Sequence, residues 1–149
     1  MRAESSGARG TCIALSWTLP WVREGAVKTI FVLDDDPEQA ELMAQALTGR
    51  DRRVRAFSDP IRALAALTVD GADLLIADLS MPWIDGKDVV ASAHLRKPDL
   101  LVFMVSGYPR GAEIAAEEGV PFFSKPIDLT QFRAAVDAAL ERDDQPTAR

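Results

Sequence analysis

Four apolar segments in this 149-residue chain are each followed by a side chain that can take part in phosphoryl chemistry. They lead, in order, to the acidic run Asp34-Asp35-Asp36, to Asp78, to Ser106 and to Lys125. If the segments are buried parallel strands, their carboxyl ends lie along one edge of a sheet, which is where sites form in open α/β sheets. Aspartate carboxylates, a hydroxyl and an ammonium at that edge suggest a site for a divalent cation and a phosphoryl group.

The carboxylates suit a magnesium site. Mg²⁺ takes oxygen ligands in octahedral geometry and is commonly held by one or two carboxylates, with water and phosphate oxygens completing its shell. Asp34, Asp35 and Asp78 could supply such ligands, and the repulsion between consecutive carboxylates is relieved when a cation binds. A second role is open to the acidic run, since Asp35 or Asp36 could cap a helix that begins at Pro37.

The other three groups each have a chemical and an ordinary interpretation. Asp78 is either a nucleophile that attacks phosphorus to give an aspartyl phosphate or an aspartate at the start of a loop. Ser106 either donates a hydrogen bond to the phosphoryl group or caps the next helix. Lys125, which precedes Pro126, is either a positive clamp on phosphoryl oxygens or a solvated lysine. Their order and placement along the chain favour the chemical interpretation of the set.

The segments that would position these groups alternate between strand and helix patterns, which is typical of βαβ units around a parallel sheet. The predicted strands are residues 28–33, 53–57, 73–77, 101–105 and 121–124. The predicted helices are residues 37–47, a helix opened by residues 58–60, then 87–95, a short helix at 112–118 and a last helix capped by Asp128. Gly49 is expected to end the first helix. The apolar face predicted for the last helix comprises Leu129, Phe132, Ala135, Val136 and Leu140.

Size and charge limit the possible partners. A chain of this length has room for one domain with a proper core. The net charge of -6 and the isoelectric point near 4.8 argue against nucleic acid and anionic membranes as partners, because these are themselves negative. The single cysteine, Cys12, cannot form an internal disulfide, which fits a reduced cytoplasm.

Residues 12–22 form an apolar stretch that imitates a targeting signal poorly. Pro20 and two tryptophans interrupt it, and Arg23-Glu24 follow where a cleavage site needs small residues. It is also shorter than the ~20 residues that cross a bilayer. The remaining interpretations are a flexible extension, an apolar arm lying on the domain, or residues upstream of the natural start.

The chain resembles the receiver domains of two-component response regulators, of the single-domain type, from about residue 28 to residue 140. The resemblance rests on residues 32–37, 76–86, 105–108 and 123–126, and the pattern Asp-x-x-Met-Pro-x-x-Asp-Gly from Asp78 to Gly86 is highly specific. It implies a flavodoxin-like (CheY-like) fold, with five parallel strands in the order 2-1-3-4-5 and helices on both faces. The implied domain is residues 28–141, between an extension of residues 1–27 and a polar tail of residues 142–149.

The resemblance also implies a role for each site residue. Asp78 would accept the phosphoryl group, and Mg²⁺ or Mn²⁺ would be held by Asp35, Asp78 and the backbone carbonyl of Ser80. Asp34 would assist through water. Ser106 and Lys125 would contact the phosphoryl group, and the Lys125-Pro126 peptide bond would be cis.

Phe122 and His94 have different expected roles. Phe122 stands where relatives often carry a tyrosine or another aromatic residue that reports the switch, so a switching role is expected for it without hydroxyl contacts. His94, the sole histidine, lies on a predicted helix surface, where a solvated or packing role is expected in place of phosphotransfer.

The implied function is receipt of a phosphoryl group on Asp78 from a sensor histidine kinase or a histidine phosphotransfer protein, followed by a change in a surface that binds a downstream protein. This is not an enzyme in the usual sense. One alternative is a magnesium-dependent phosphohydrolase with an aspartate nucleophile. Such enzymes usually carry a second acid two residues after the nucleophile, where this chain has Ser80. Another is a degenerate interaction module that never carries phosphate, although every group it could have lost is present.

Overall fold

Five strands alternate with five helices in the computed structural model, which describes residues 27–80 and 84–144. The strands are β1 (Lys28–Leu33), β2 (Arg52–Phe57), β3 (Leu74–Asp78), β4 (Leu101–Ser106) and β5 (Phe122–Ser124). The helices are α1 (Pro37–Leu47), α2 (Pro60–Val69), α3 (Gly86–Arg96), α4 (Gly111–Glu118) and α5 (Leu129–Asp144). All strand pairs are parallel, in the order β2-β1-β3-β4-β5. The predicted flavodoxin-like arrangement is therefore confirmed, and no strand end differs from its predicted position by more than one residue.

Aspartate side chains hold the first turns of four helices. The carboxylates of Asp36, Asp59, Asp85 and Asp128 each accept a hydrogen bond from a backbone N–H of the turn that follows, at 2.9 to 3.2 Å. Such a cap is worth about 1 kcal/mol. At the start of α4 the capping position is Arg110, whose side chain makes no capping bond. The first turn of α4 is thus held less firmly than those of the other four helices.

The prediction that Gly49 ends α1 is wrong. The capping residue is Thr48, which has extended backbone angles and whose hydroxyl donates a hydrogen bond to the carbonyl of Ala44 at 2.8 Å. The Thr48 hydroxyl thus satisfies a carbonyl at the end of the helix, which is the role of a left-handed glycine cap. The left-handed glycine cap occurs instead after α4, at Gly119, where φ is 72°.

The core lies in two layers because alternate residues of each strand face opposite sides of the sheet. In β1, Phe31 and Leu33 pack toward α2, α3 and α4, whereas Ile30 and Val32 pack toward α1 and α5. The central strand β3 is buried along its whole length, as expected for a parallel strand covered on both faces. Both helical layers therefore fix the central strand, whose last residue is Asp78.

Helix α5 differs from its predicted pattern at its start. Phe132, Val136 and Leu140 are buried as predicted, but Leu129 is 49% exposed. The prediction for Leu129 is wrong because this side chain lines an open cavity with Leu42 and does not reach the sheet. The helix continues to Asp144, three residues beyond the boundary predicted at residue 141.

The predictions for the apolar stretch at residues 12–22, and for the tail beyond residue 144, lie outside the described residues. Among the helices that are described, none combines the length and the apolar character needed to cross a membrane.

Candidate functional site

The carboxyl ends of four strands bring the predicted site residues to one edge of the sheet. Asp34 follows β1, Asp78 ends β3, Ser106 ends β4 and Lys125 follows β5. Asp34, Asp78 and Ser106 are buried, with exposures of 3%, 4% and 1%. Buried polar groups need partners. Asp34 and Asp78 pair with Lys125, and Ser106 pairs with Ser80 and with the backbone N–H of Tyr108.

Lys125 is the positive centre of the site. Its Nζ lies 2.9 Å from Oδ2 of Asp34 and 3.3 Å from Oδ2 of Asp78. Burial lowers the pKa of Lys125, but the hydrogen bond with Asp34 and the charges of both aspartates outweigh it, so the pKa is raised above its ordinary value. The ammonium therefore stays charged and holds the ends of β1 and β3 together. The Lys125-Pro126 peptide bond is cis, as predicted.

The carboxylates of Asp34, Asp35 and Asp78 form an acidic cluster, with ligand oxygens within 4.8 Å of one another. Burial raises the pKa of Asp35, and the negative charges of Asp34 and Asp78 raise it further. Lys125 supplies one positive charge against three negative ones, so the site carries excess negative charge. An all-oxygen donor set with excess negative charge fits a hard divalent cation such as Mg²⁺ or Mn²⁺.

The two interpretations of the acidic run apply to different residues. Asp36 is exposed and caps α1 through the backbone N–H of Glu38, at 3.0 Å. Asp34 is buried and accepts a hydrogen bond from the backbone N–H of Asp36, also at 3.0 Å. Asp35, between them, joins the acidic cluster. Of the three carboxylates in the run, that of Asp36 caps the helix, and those of Asp34 and Asp35 lie in the candidate site.

The hydroxyl of Ser80 belongs to the candidate site, although the sequence analysis assigns a role only to the backbone carbonyl of this residue. Its Oγ lies 2.8 Å from Oγ of Ser106, and its backbone N–H donates to Oδ1 of Asp78 at 2.8 Å. The Ser106 oxygen also accepts a hydrogen bond from the backbone N–H of Tyr108 at 2.8 Å. The signal available in the sequence was a hydroxyl-bearing residue, Ser80, two positions after the aspartate at the strand end.

Phe122 packs beneath the start of α4. Its ring is half-buried and lies against the core layer of α2, α3 and α4. A Cβ on Gly111 would lie 2.6 Å from the Phe122 ring and 3.2 Å from Cβ of Ser106, so this position requires glycine. Sequence reasoning missed Gly111, which connects Ser106 with Phe122 by direct packing.

His94 lies outside this group. It is half-buried near the end of α3, and its Nε2 is 3.0 Å from the carbonyl oxygen of Leu100. Leu100 precedes β4, at the opposite edge of the sheet from Ser106. This placement agrees with the packing role expected for His94.

Replacing Asp35 by asparagine is expected to have opposite effects on stability with and without metal. In EDTA the substitution should stabilise the protein, because it removes a charge that burial and two neighbouring carboxylates disfavour. This gain should build up as the pH rises from the ordinary aspartate pKa of 3.8, where the carboxyl of the unfolded chain ionises, to the raised pKa of Asp35 in the folded protein, and it should be constant above that. In saturating Mg²⁺ the variant should be less stable than wild type, which gains about 2.7 kcal/mol at a metal concentration about 100 times the dissociation constant. Urea unfolding in both buffers measures the free energies of unfolding.

Asp36→Asn is the matched control for this prediction. It makes the same chemical change at the next residue, and asparagine caps a helix about as well as aspartate does. Its free energy of unfolding should stay close to that of wild type in both buffers. If Asp35→Asn is more stable than wild type in both EDTA and Mg²⁺, or less stable in both, Asp35 is not a metal ligand.

Comparisons with known proteins agree with this geometry. The family described as "Response regulator receiver domain" matches residues 30–137. The C4-dicarboxylate transport transcriptional regulatory protein DctD of Rhizobium meliloti (strain 1021) is 30% identical over 105 residues, which are 68% of this chain and 23% of that protein. The DNA-binding transcriptional regulator NtrC of Klebsiella pneumoniae is 29% identical over 113 residues, which are 74% of this chain and 24% of that protein. This chain thus spans about a quarter of the length of these relatives.

A solved structure shows the same fold. The response regulator receiver domain protein (CheY-like) from Methanospirillum hungatei JF-1 superposes with a TM-score of 0.73 at 20% identity, over 80% of this chain and 98% of that one. The family match covers most of the described residues, from β1 into α5. The chain therefore belongs to the response regulator receiver domain family, whose members are regulatory phosphoacceptors of two-component systems and not conventional enzymes.

Proposed function

We propose that Asp78 accepts a phosphoryl group from a phosphohistidine on a sensor histidine kinase or a histidine phosphotransfer protein. The observation that carries this proposal is the position of the buried Asp78 carboxylate at the end of the central strand. On one side β1 supplies Asp34 and Asp35, and on the other β4 supplies Ser106. Asp78 is thus the carboxylate between the candidate metal ligands and the candidate phosphoryl-binding hydroxyl.

The charge of the site supports a metal requirement. Three carboxylates and one ammonium leave excess negative charge, which would repel an incoming phosphoryl group. Asp35, Asp78 and the backbone carbonyl of Ser80 would hold Mg²⁺ or Mn²⁺, with Asp34 assisting through water. When bound, the cation offsets the carboxylate charge and attracts phosphoryl oxygens.

The transfer step needs no group beyond those named. A carboxylate oxygen of Asp78 attacks phosphorus, an O–P bond forms, and the P–N bond to the donor histidine breaks. The histidine nitrogen keeps the electron pair of that bond and takes a proton from solvent. Lys125, already at Oδ2 of Asp78, would stabilise the charge on the transferred group.

The rival phosphohydrolase function is not supported by the loop after β3. The position two residues beyond Asp78, where such enzymes usually carry an acid, is Ser80, and its hydroxyl pairs with Ser106. Stoichiometric labelling by acetyl phosphate tests the distinction. A phosphoacceptor should take up one phosphoryl group per chain, only with Mg²⁺ or Mn²⁺, whereas a phosphohydrolase should turn over its substrate without accumulating label.

The switch is proposed to begin at the hydrogen bond between Ser80 and Ser106. We infer that the Ser106 hydroxyl exchanges its 2.8 Å contact with the Ser80 hydroxyl for one with a phosphoryl group on Asp78. Ser106 and the Phe122 ring both lie against Gly111 at the start of α4, and that helix has eight residues and no side-chain cap. Elements with weak local stability are the ones that move at low cost, so we infer that the change spreads from Ser106 to α4 and Phe122.

Ser106→Ala should separate phosphate acceptance from switching. Beryllofluoride, which mimics a phosphoryl group, should shift the amide signals of Phe122 and α4 in wild type with Mg²⁺. In Ser106→Ala those signals should stay near their unliganded positions, because no hydroxyl can move, while signals near Asp35 and Asp78 still shift. Two-dimensional amide NMR measures both sets in one experiment.

Ser80→Ala is the control for this comparison. It removes the same hydrogen bond but leaves the Ser106 hydroxyl free to reach the phosphoryl mimic, so the shifts at Phe122 and α4 should persist. Full shifts in Ser106→Ala would show that the signal leaves the site through another contact.

The phosphate donor is proposed to be a protein that docks beside the site. Leu42 of α1 and Leu129 of α5 are 59% and 49% exposed, and with Lys125 they line a cavity of about 260 Å³. An apolar surface next to a reactive carboxylate suits a protein donor more than a small charged one. We further propose a cytoplasmic location, a receiver unit spanning residues 28–141, and a downstream protein target for the switched surface.

A further inference from the structure

Helices α2 and α3 expose apolar side chains to solvent. Ile61 and Val69 of α2 and Leu95 of α3 are 73%, 81% and 85% exposed, and Ala65 and Ala91 are exposed on the same two helices. Together they form the α2–α3 face. Single exposed apolar side chains are ordinary, but a group of them on adjacent helices is typical of an interaction surface. The proposed phosphoryl chemistry and the proposed switch at α4 make no use of this face.

The two helices of this face are held side by side. Both pack on the same side of the sheet. The Nε of Arg96, at the end of α3, donates a hydrogen bond to Oγ1 of Thr68 in α2 at 3.0 Å, and Nη1 of the same guanidinium donates to the carbonyl of Ser92 at 3.0 Å. Both helices follow strands of one parallel sheet, so they run in the same direction. The face is therefore preformed, which lowers the cost of binding a partner.

Four exposed charged side chains lie at the ends of the α2–α3 face, and their signs alternate. Helix α2 has Arg62 in its first turn and Asp70 directly after its last residue, whereas α3 has Asp88 in its first turn and Arg96 in its last. The two charges on each helix are eight residues apart in the sequence, which is about 12 Å along a helix axis. At each end of the face, a positive charge on one helix thus accompanies a negative charge on the other.

This pattern of charges is self-complementary. A two-fold axis that crosses the helices reverses their direction and keeps their flanks, so Arg62 meets Asp70 of a second copy and Asp88 meets Arg96 of that copy. The flanks agree, because Asp70 pairs with Arg55 of the edge strand β2 at 2.8 Å and Arg62 lines a cavity with the same Arg55. The two charges of α2 therefore lie on one side of that helix.

The four charged side chains are available to a second copy. Arg62 is 84% exposed and lies 4.0 Å from a carboxylate of its own chain, and Asp70 is 57% exposed although it is already paired. Within the part of the chain that the structure describes, neither Asp88 nor Arg96 forms an ion pair. A partner of uniform charge would be repelled by two of these four side chains, whereas a second copy of the chain is attracted by all of them.

We propose that two copies of the chain form an antiparallel dimer through the α2–α3 face. Their α2 helices pack on each other at Ala65, and the Arg62–Asp70 and Asp88–Arg96 pairs each form twice by symmetry. A face of two helices, each of about 10 residues, measures about 15 by 20 Å, or roughly 300 Å². This is less than the ~800 Å² that each partner of a stable complex buries. The dimer is therefore weak and reversible.

Sedimentation velocity of the full chain, at concentrations up to about 1 mM, tests the proposal. In about 0.15 M salt the Debye length is about 8 Å, so the repulsion between two copies of net charge -6 is largely screened while close pairs still attract. Wild type should show a reversible equilibrium of monomer and dimer. Asp88→Arg should raise the dissociation constant about tenfold, because it turns two attractions into repulsions. Adding Arg96→Asp to that variant should restore the dissociation constant to within about threefold of wild type.

Glu41→Arg is the matched control for Asp88→Arg. It makes the same change in net charge on the exposed surface of α1, which packs on the other side of the sheet. Its dissociation constant should not exceed that of wild type. The double substitution Ile61→Ser, Leu95→Ser should abolish the dimer, because it removes apolar surface and leaves the four charges in place.

Disulfide cross-linking tests the antiparallel arrangement. In a Cys12→Ser background, Ala65→Cys lies close to the two-fold axis, since it is near the midpoint between Arg62 and Asp70. Oxidation should join two copies through this position, because a disulfide needs Cα atoms about 4.4 to 6.8 Å apart. Gln45→Cys, on the exposed surface of α1, is the control that should stay monomeric.

Three results would contradict the proposed dimer. Wild type that sediments as a monomer up to about 1 mM would exclude it. Equal dissociation constants for Asp88→Arg and Glu41→Arg, or no rescue by Arg96→Asp, would place the contact outside the α2–α3 face. Cross-linking of Gln45→Cys as fast as that of Ala65→Cys would exclude the antiparallel arrangement. Circular dichroism and acetyl phosphate labelling of each variant check that the fold and the phosphoacceptor site are intact.

Discussion

Asp78→Asn is expected to reduce phosphoryl incorporation to background. The carboxylate is the group that forms the new bond to phosphorus, and a neutral amide at the same position is a far weaker nucleophile. The measurement is incorporation from acetyl phosphate or a phosphorylated kinase in Mg²⁺, followed by intact-mass analysis and by loss of label in hydroxylamine.

The control for this prediction is Asp36→Asn, which alters an exposed carboxylate of the same edge. Asp36 caps α1 and does not belong to the acidic cluster, so labelling of this variant should match wild type. Asp78→Asn should also keep its fold, because removing one of three clustered negative charges relieves repulsion. Wild-type levels of label in folded Asp78→Asn would remove Asp78 as the acceptor.

Lys125→Met should destabilise the metal-free protein by roughly 3 kcal/mol, which is the usual scale for removing one partner from a buried ion pair. The methionine keeps the length of the side chain but leaves Asp34 and Asp78, each with 4% side-chain exposure, without their positive partner. For a domain of this size the melting temperature should fall by roughly 10 °C. Addition of Mg²⁺ should reduce the difference in stability between wild type and Lys125→Met. The variant lacks the ammonium that opposes metal binding, so it should bind Mg²⁺ more tightly than wild type does.

The pH dependence of this effect has a definite sign. The pKa of Lys125 is raised in the folded protein, so its contribution is fully present below the ordinary lysine pKa of 10.5 and is lost as the pH rises through the raised value. The free energies of unfolding of wild type and Lys125→Met should therefore differ by a constant amount across neutral pH and converge only in strong alkali.

Lys87→Met is the matched control for Lys125→Met. Lys87 also pairs with a carboxylate, since its Nζ lies 3.0 Å from Oε1 of Glu117, but both side chains are well exposed. Exposed pairs contribute little, so this variant should unfold close to wild type. Equal destabilisation by the two substitutions, or weaker Mg²⁺ binding by Lys125→Met, would mean that Lys125 does not act through the buried carboxylates.

The pattern of the sequence was enough to predict the fold and the edge on which the site lies. Apolar runs such as residues 101–105 predict strands buried on both faces, and the intervening helices require parallel crossovers of one hand. Parallel strands end at the same edge, so Asp34, Asp78, Ser106 and Lys125 had to lie near one another. Local capping chemistry likewise predicted that residues 58–60 and Asp128 open helices, and the carboxylates of Asp59 and Asp128 do cap them.

The sequence pattern could not distinguish the roles of neighbouring residues of the same type. Asp35 and Asp36 are equally plausible caps in the sequence. In the structure Asp36 is the cap, because its extended backbone directs its carboxylate to the N–H of Glu38. Asp35 lies beside Asp34 and Asp78. Dihedral angles at a strand end decide this assignment, and they depend on how the helix packs onto the sheet.

The sequence by itself determined which residues reach the site edge, because the period of a strand and the direction of its end are local properties. Only the tertiary structure decided what lies opposite each of them. The contact of Lys125 with Asp34 joins residues 91 positions apart, and the contacts of Ser80 with Ser106 and of Gly111 with Phe122 cross between neighbouring segments. Leu129 was placed on the buried face by its spacing, yet it is half exposed. A periodic pattern specifies the face of an element on which a residue lies, whereas its partner is set by strand register and by the packing of helices from distant parts of the chain.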